Sequence, residues 1–139
     1  MKKIVFILVL AITLQVSAQE QSQWLTDNST ALKLSETQNK PILVYVTNTP
    51  KADVSAELKT LVNNSNLLDK ITSNLILLKL DISDKTSTNV RFGIHYTKQR
   101  SAPGLSLIDK YGKTIIEPLV DFSSREKVLT FMTLLNDKL

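Results

Sequence analysis

The 139 residues of this chain are enough for one domain of ordinary size and too few for two. Hydrophobic residues make up 42% and charged residues 22%, with only three glycines and four prolines, which excludes a disordered, collagen-like or linker-rich chain. The net charge of +4 comes without a cluster of basic and aromatic residues, so we expect no nucleic-acid partner.

The N-terminus has the features of a secretory signal peptide. Lys2-Lys3 precede the apolar run Ile4–Leu14, and Val16–Ala18 fits a signal-peptidase site. An uncleaved anchor is the alternative, but the run is shorter than the roughly 20 residues that a membrane-spanning helix needs. We therefore predict a signal peptide over residues 1–18, cleaved after Ala18, and a mature domain over residues 19–139. This predicts a periplasmic or secreted location, no stable membrane insertion and a mature net charge of +2, since two lysines are removed from +4.

The chain contains no cysteine, although exported proteins form disulfides readily. A disulfide, a thiolate nucleophile and a cysteine metal site are all excluded. With one histidine, His95, and no clustered carboxylates, we expect no metal and no cofactor.

Residues 23–38 carry apolar side chains at helical spacing from Trp24 onward, which predicts a first helix. Asn28 or Ser29 fits its N-cap. The helix should end before Pro41, because the residue preceding a proline avoids the α region.

A strand and a second helix follow in the pattern. Ile42–Val46 is apolar on both faces, as a central strand covered on both sides must be. Thr47–Pro50 breaks the strand, with Pro50 expected in the first turn of the next helix. The second helix has one apolar face, formed by Val54, Leu58, Leu61 and Val62. After it, we predict a turn over residues 63–66 and a short helical turn over residues 67–71.

The second half contributes two buried strands, Leu75–Leu80 and Leu105–Ile108, separated by a short helix within residues 86–95. The sequence Asp109–Lys113 is typical of a hairpin turn, with Gly112 available for a positive φ. Thr114–Ile116 is then predicted to return as an antiparallel strand.

A last helix over residues 123–139, capped at Ser123 or Ser124, completes the predicted elements. Their order indicates an α/β fold with a mixed central sheet and helices on both faces.

Several stretches carry a family resemblance when they are taken together. They are Asn39–Val46, Thr47–Leu58, Leu75–Asp81, Ser101–Leu105 and Leu107–Lys113. In order and spacing they resemble the thioredoxin superfamily, most closely exported bacterial domains that begin with a tryptophan-bearing helix. In those domains an Asn-Lys-Pro strand leads into Thr-Gly-Ser-x-Trp-Cys-x-x-Cys, and a cis-proline loop follows later. The resemblance covers nearly all of the mature chain and implies a thioredoxin-like three-layer sandwich.

The resemblance also implies a degenerate active site at Lys51–Ser55. Lys51 stands at the family's tryptophan position, Ala52 at the first cysteine and Ser55 at the second, with Asp53 and Val54 between the two cysteine positions. Alanine forms no thiolate, and a serine hydroxyl is a poor nucleophile without an adjacent base. We therefore predict that the protein is not a thiol–disulfide enzyme.

The proline loop is the candidate binding feature. In the family, the residue before this proline offers its backbone N–H and C=O to an extended peptide. Ala102 has that place here, and we predict peptide binding by Thr49, Ala102 and Pro103. The alternative is that Pro103 is kept only as a conformational device. Gly104 replaces the family's threonine or valine, which we expect to loosen the loop.

Other candidate sites have weaker support. The helix start near Asp53 fits either an anion site or ordinary capping, and the first-turn position of Asp53 favours capping. His95 has no nucleophile-elbow sequence to serve, so a Ser–His–Asp device is not expected. Paired-carboxylate catalysis is not expected either, because the candidate acids are on separate loops: Asp81, Asp84 and Asp109.

The combined prediction is a redox-inactive, non-catalytic protein- or peptide-binding module of the bacterial envelope. The alternative is an accessory subunit of a thiol–disulfide oxidoreductase system, acting beside a cysteine-bearing enzyme.

Overall fold

The computed structural model describes residues 24–139, and the predicted signal peptide lies outside these residues. Their strands form one four-stranded sheet in the order β1-β3-β2-β4. The strands β1 and β2 run parallel to β3, and β4 runs antiparallel to β2. The strand bounds are Trp24–Leu25 for β1, Ile42–Thr47 for β2, Ile76–Asp81 for β3 and Gly104–Ile108 for β4.

Five helices accompany the sheet within residues 24–139: α1 (Asn28–Gln38), α2 (Val54–Val62), α3 (Ser65–Asn74), α4 (Thr88–Thr97) and α5 (Arg125–Asp137). Each begins after a polar residue whose side chain accepts a backbone N–H of the first turn. None of these five is long and apolar enough to cross a bilayer.

The helices cover both faces of the sheet, since alternate residues of β2 enter two separate cores. Leu43 and Tyr45 pack with side chains of α2, α3 and α5, whereas Val44 packs with Ala31 of α1 and Tyr96 of α4. This arrangement confirms the predicted three-layer α/β sandwich with a mixed sheet.

The prediction was wrong at the start of the first helix. Trp24 and Leu25 are not helical but form β1, which pairs with Leu77 and Leu78 of β3. The N-cap of α1 is Asp27, one residue before Asn28, and its carboxylate accepts the Thr30 N–H at 2.9 Å. Apolar spacing did not separate the strand from the helix because only two residues, Thr26 and the cap Asp27, lie between them.

The second helical region also differs from the prediction. The helix α2 begins at Val54, so Pro50 lies in the preceding loop and not in its first turn. The short turn predicted over residues 67–71 is the ten-residue helix α3, because the Asn64 side chain caps it one residue before Ser65.

The returning strand predicted at Thr114–Ile116 does not form. Gly112 does adopt a positive φ of 79°, and the Ile115 N–H reaches the Leu107 carbonyl at 2.8 Å. One isolated bridge, from Thr114 to Ile108, connects this segment to β4, and another follows at Leu119. Pro118 lies between them and has no N–H to extend a ladder.

Candidate functional site

The loop after β2 and the proline loop before β4 meet at one end of the sheet. Val46 pairs with Gly104 in antiparallel register, so the residues after Val46 lie beside those before Gly104. Asn48 and Ala102 consequently line the same cleft, and the Ala102–Pro103 peptide bond is cis.

The positions from Lys51 to Val54 have different surroundings. Lys51 is exposed, whereas Ala52 is half-buried and packs against the core beneath α2. Asp53 is the N-cap of α2 and accepts the Ala56 N–H at 3.1 Å, which is the capping role. Val54 is 4% exposed and belongs to the core, so it is not part of the surface.

Ser55 is tied to the first strand. Its Oγ accepts a hydrogen bond from Trp24 Nε1 at 2.8 Å. The Trp24 ring stands edge-on to Tyr45, with centroids 6.4 Å apart, and Tyr45 stands edge-on to Phe122 at 6.2 Å. The Ser55 hydroxyl therefore links β1 to α2.

Ser55 has no histidine to activate it. His95 is exposed on α4, where its ring lies 5.4 Å from that of Tyr96, and α4 packs on the face of the sheet opposite α2. The structure therefore does not bring these two side chains together.

The candidate carboxylates shape turns. Asp81 accepts the Ser83 N–H at 2.9 Å, and Asp109 accepts the Tyr111 N–H at 2.8 Å. Asp84 accepts both the side chain and the N–H of Thr86, and these hydrogen bonds hold the pKa of Asp84 below its usual value. Within residues 24–139, no three histidine and carboxylate side chains are grouped to hold a metal.

Lys79 donates hydrogen bonds to the loop between β2 and α2. It is the half-buried lysine of β3, within the apolar part of the strand that precedes Asp81, and it lies opposite Tyr45 of β2. Its Nζ donates to the carbonyl oxygens of Pro50 at 3.1 Å and of Ala52 at 3.0 Å. Sequence reasoning missed this residue, although a lone lysine within Leu75–Leu80 was the available signal.

Comparison with solved structures shows which proteins share this architecture. A DsbH oxidoreductase matches with a TM-score of 0.56 and 18% identity, over 82% of this chain and 84% of that one. Poplar thioredoxin h matches with a TM-score of 0.56 and 12% identity, over 84% and 97%. The chain has a thioredoxin-like fold. The resemblance drawn from the sequence is thus confirmed at the level of the fold.

Further matches are consistent with that fold. The oxidised C-terminal domain of DsbD from Neisseria meningitidis matches this thioredoxin-like chain with a TM-score of 0.51 and 16% identity, over 81% of this chain and 97% of that domain. No family model matches the sequence, and no curated protein matches it either.

Tyr45 of β2 is buried in the interior of the thioredoxin-like fold. Burial above all, together with the neighbouring Glu57 carboxylate, raises the pKa of Tyr45 well above its ordinary value of 10.0. The phenol therefore stays neutral near pH 7, and its ring provides the aromatic contacts to Trp24 and Phe122.

The cleft shared by the two loops has a volume of about 660 Å³. We call it the proline-loop cleft. Its apolar lining comes from Ile82 after β3, from Val90 and Ile94 of α4, and from Ala102. In this thioredoxin-like fold, these apolar side chains share the cleft with polar ones, among them Asn48, Ser83 and Ser101, beside the backbone of the proline loop.

Replacing Lys79 with methionine is expected to destabilise the protein by about 1–2 kcal/mol, because the two carbonyls at Pro50 and Ala52 lose a charged donor. Urea unfolding measures this change, and amide exchange should accelerate at Ala52, whose N–H closes a turn on Thr49. The matched control is Lys40→Met, which removes one such bond, to Ser73, at a different position. Equal effects of the two variants and unchanged exchange at Ala52 would contradict the role of Lys79.

Proposed function

We propose that this protein is a redox-inactive thioredoxin-fold module of the bacterial envelope that binds an extended segment of another protein and catalyses no reaction on it. The single observation that carries the proposal concerns the hydrogen bonding of the Ala102 backbone. Within residues 24–139, neither its N–H nor its C=O forms a hydrogen bond, although Ala102 lies two residues before the paired residue Gly104.

Unpaired backbone groups beside a strand end are suited to strand-like pairing with a peptide. An extended peptide can add its own N–H and C=O groups to such an edge, and the adjacent cleft can receive one of its side chains. Here Ile82, Val90 and Ile94 give that side chain an apolar environment.

Two features of the same region support a role without thiol–disulfide or serine–histidine chemistry. The chain has no cysteine, so no thiolate can attack a disulfide. The Ser55 hydroxyl accepts the Trp24 hydrogen bond, and His95 lies on the other face of the sheet. A role as an accessory subunit beside a cysteine-bearing enzyme would use the same surface and stays a prediction, as does the envelope location, which rests on residues 1–18.

The proposal is tested with a phage-displayed library of peptides of about ten residues, long enough to extend beyond the cleft at roughly 3.3 Å per residue. Peptides that bind the mature protein should bind Ala102→Trp at least about tenfold more weakly, because the indole fills the cleft. Thr60→Trp, on the exposed face of α2, is the matched control and should bind as the wild type does. Circular dichroism and thermal unfolding verify that both variants fold.

Two results would overturn the proposal. One is a library that yields no binding peptide. The other is a set of peptides that bind the folded Ala102→Trp variant as tightly as the wild type, since binding would then occur elsewhere on the surface.

A further inference from the structure

Two cations line the proline-loop cleft. Lys85 follows β3 and Arg100 precedes the proline loop, and both residues are exposed. The lining contains no carboxylate. The one ion pair within residues 24–139 joins Lys127 to Asp121 at 3.6 Å, so neither cation of the cleft has a carboxylate partner in this part of the chain.

The nearest acidic residues along the chain are held by their own turns. Asp81 accepts the Ser83 N–H, and Asp84 accepts the Thr86 N–H at 2.9 Å and the Thr86 hydroxyl at 2.7 Å. These hydrogen bonds hold both carboxylates in local turns. Neither carboxylate forms an ion pair with Lys85 or Arg100 within residues 24–139, so both cations can pair with the charge of a ligand.

The lining of the cleft favours an acidic peptide over a nucleic acid. Apolar side chains lie beside the two cations, and the backbone of Ala102, which has no hydrogen-bond partner within residues 24–139, is part of the same surface. None of the lining residues is aromatic, so the cleft has no stacking surface for nucleic-acid bases.

We infer that the segment bound at this cleft is acidic, with an apolar side chain facing Ile82 and Ile94 and aspartate or glutamate side chains reaching Lys85 and Arg100. This inference rests on the proposed peptide-binding function and specifies the chemistry of the partner. In an extended peptide, side chains on one face recur every second residue, so the charged and apolar positions should alternate with outward-facing ones.

Three fluorescein-labelled peptides of about ten residues test the inference by anisotropy. They share one central valine and differ at the flanking same-face positions, which are all glutamate, all glutamine or all lysine. At low ionic strength the glutamate peptide should bind at least about tenfold more tightly than the glutamine peptide, and the lysine peptide most weakly. The advantage of glutamate should shrink as salt is added, because exposed charges are screened.

The double variant Lys85→Gln, Arg100→Gln should bind the glutamate peptide only as tightly as the glutamine peptide. Its affinity for the glutamine peptide should stay as in the wild type. The matched control is Lys33→Gln, Lys113→Gln, which removes the same charge from exposed positions outside the cleft and should retain the preference for glutamate.

The outcomes separate this inference from the proposed function. Equal binding of the glutamate and glutamine peptides overturns the inference and leaves peptide binding in place, whereas no binding of any peptide overturns both. If the control variant loses the preference as completely as the cleft variant, the attraction is a property of net charge and the assignment to Lys85 and Arg100 is wrong. Tighter binding of single-stranded DNA or of anionic vesicles than of the glutamate peptide, lost in the cleft variant, would assign these cations to a different class of partner and overturn the inference.

Discussion

Gly104→Ala is expected to destabilise the fold by about 1–3 kcal/mol, the usual cost of adding a methyl group to a packed interior. A Cβ at this position would lie 2.8 Å from Cγ2 and 3.3 Å from Cβ of Thr97. Thr97 is 3% exposed, and its Oγ1 donates to the Gly93 carbonyl at 2.7 Å, which fixes the rotamer. The Thr97 methyl group cannot rotate away from the added Cβ without breaking the hydrogen bond to the Gly93 carbonyl.

A double-mutant cycle isolates this contact. Thr97→Ser removes the obstructing methyl group and keeps the hydroxyl, so Gly104→Ala should cost less than about 1 kcal/mol in that background. Gly93→Ala is the control, since its nearest atoms would be 3.4 Å away in ordinary contact and it should be near neutral. Urea unfolding of the variants gives the free energies. An equal cost of Gly104→Ala in both backgrounds would contradict the proposed clash.

The contact changes how Gly104 is interpreted. From the sequence, a glycine in place of threonine or valine is expected to loosen the proline loop. In the structure, Gly104 is buried, and the side chain of Thr97 from α4 occupies the space that a larger residue would need. Glycine here permits the close approach of α4 to the start of β4.

Elements with strong local patterns were predictable from the sequence. The run Ile42–Val46 was predicted as a strand and is found as Ile42–Thr47, because five apolar residues in a row must be covered on both faces. The positive φ at Gly112 was predicted for an equally local reason, and Ser124 is one of the two residues predicted to cap α5.

Features that depend on distant partners were not predictable. Trp24 joins the sheet because β3 supplies its neighbours and Ser55 accepts its indole N–H, more than thirty positions away in the sequence. Lys79 reaches the loop only because β3 lies beside β2. The proline-loop cleft likewise combines the separate segments around Asn48, Lys85 and Arg100, whose spacing in the sequence carries no signal.

Introducing two cysteines at Ala52 and Ser55, the positions that the sequence resemblance matches to the family's dithiol, is expected to give this cysteine-free chain measurable thiol–disulfide activity. In Ala52→Cys, Ser55→Cys, the first thiol would lie just before the N-cap Asp53 and the second in the first turn of α2. A helix N-terminus lowers the pKa of a nearby thiol and so raises the thiolate fraction. Mild oxidation should remove both free thiols, and the reduced variant should accelerate insulin reduction by dithiothreitol where the wild type does not.

The replacement of Ser55 has a cost of its own. A thiol accepts hydrogen bonds weakly, so the Trp24 Nε1 bond is largely lost and the variant should be destabilised by about 1 kcal/mol before oxidation. Ser55→Ala measures this loss separately, and Ala52→Cys alone is the control that cannot form an internal disulfide. Two thiols that stay free in the folded double variant would show that Lys51–Ser55 does not correspond to the dithiol segment, and the explanation of redox inactivity by lost cysteines would fail with that correspondence.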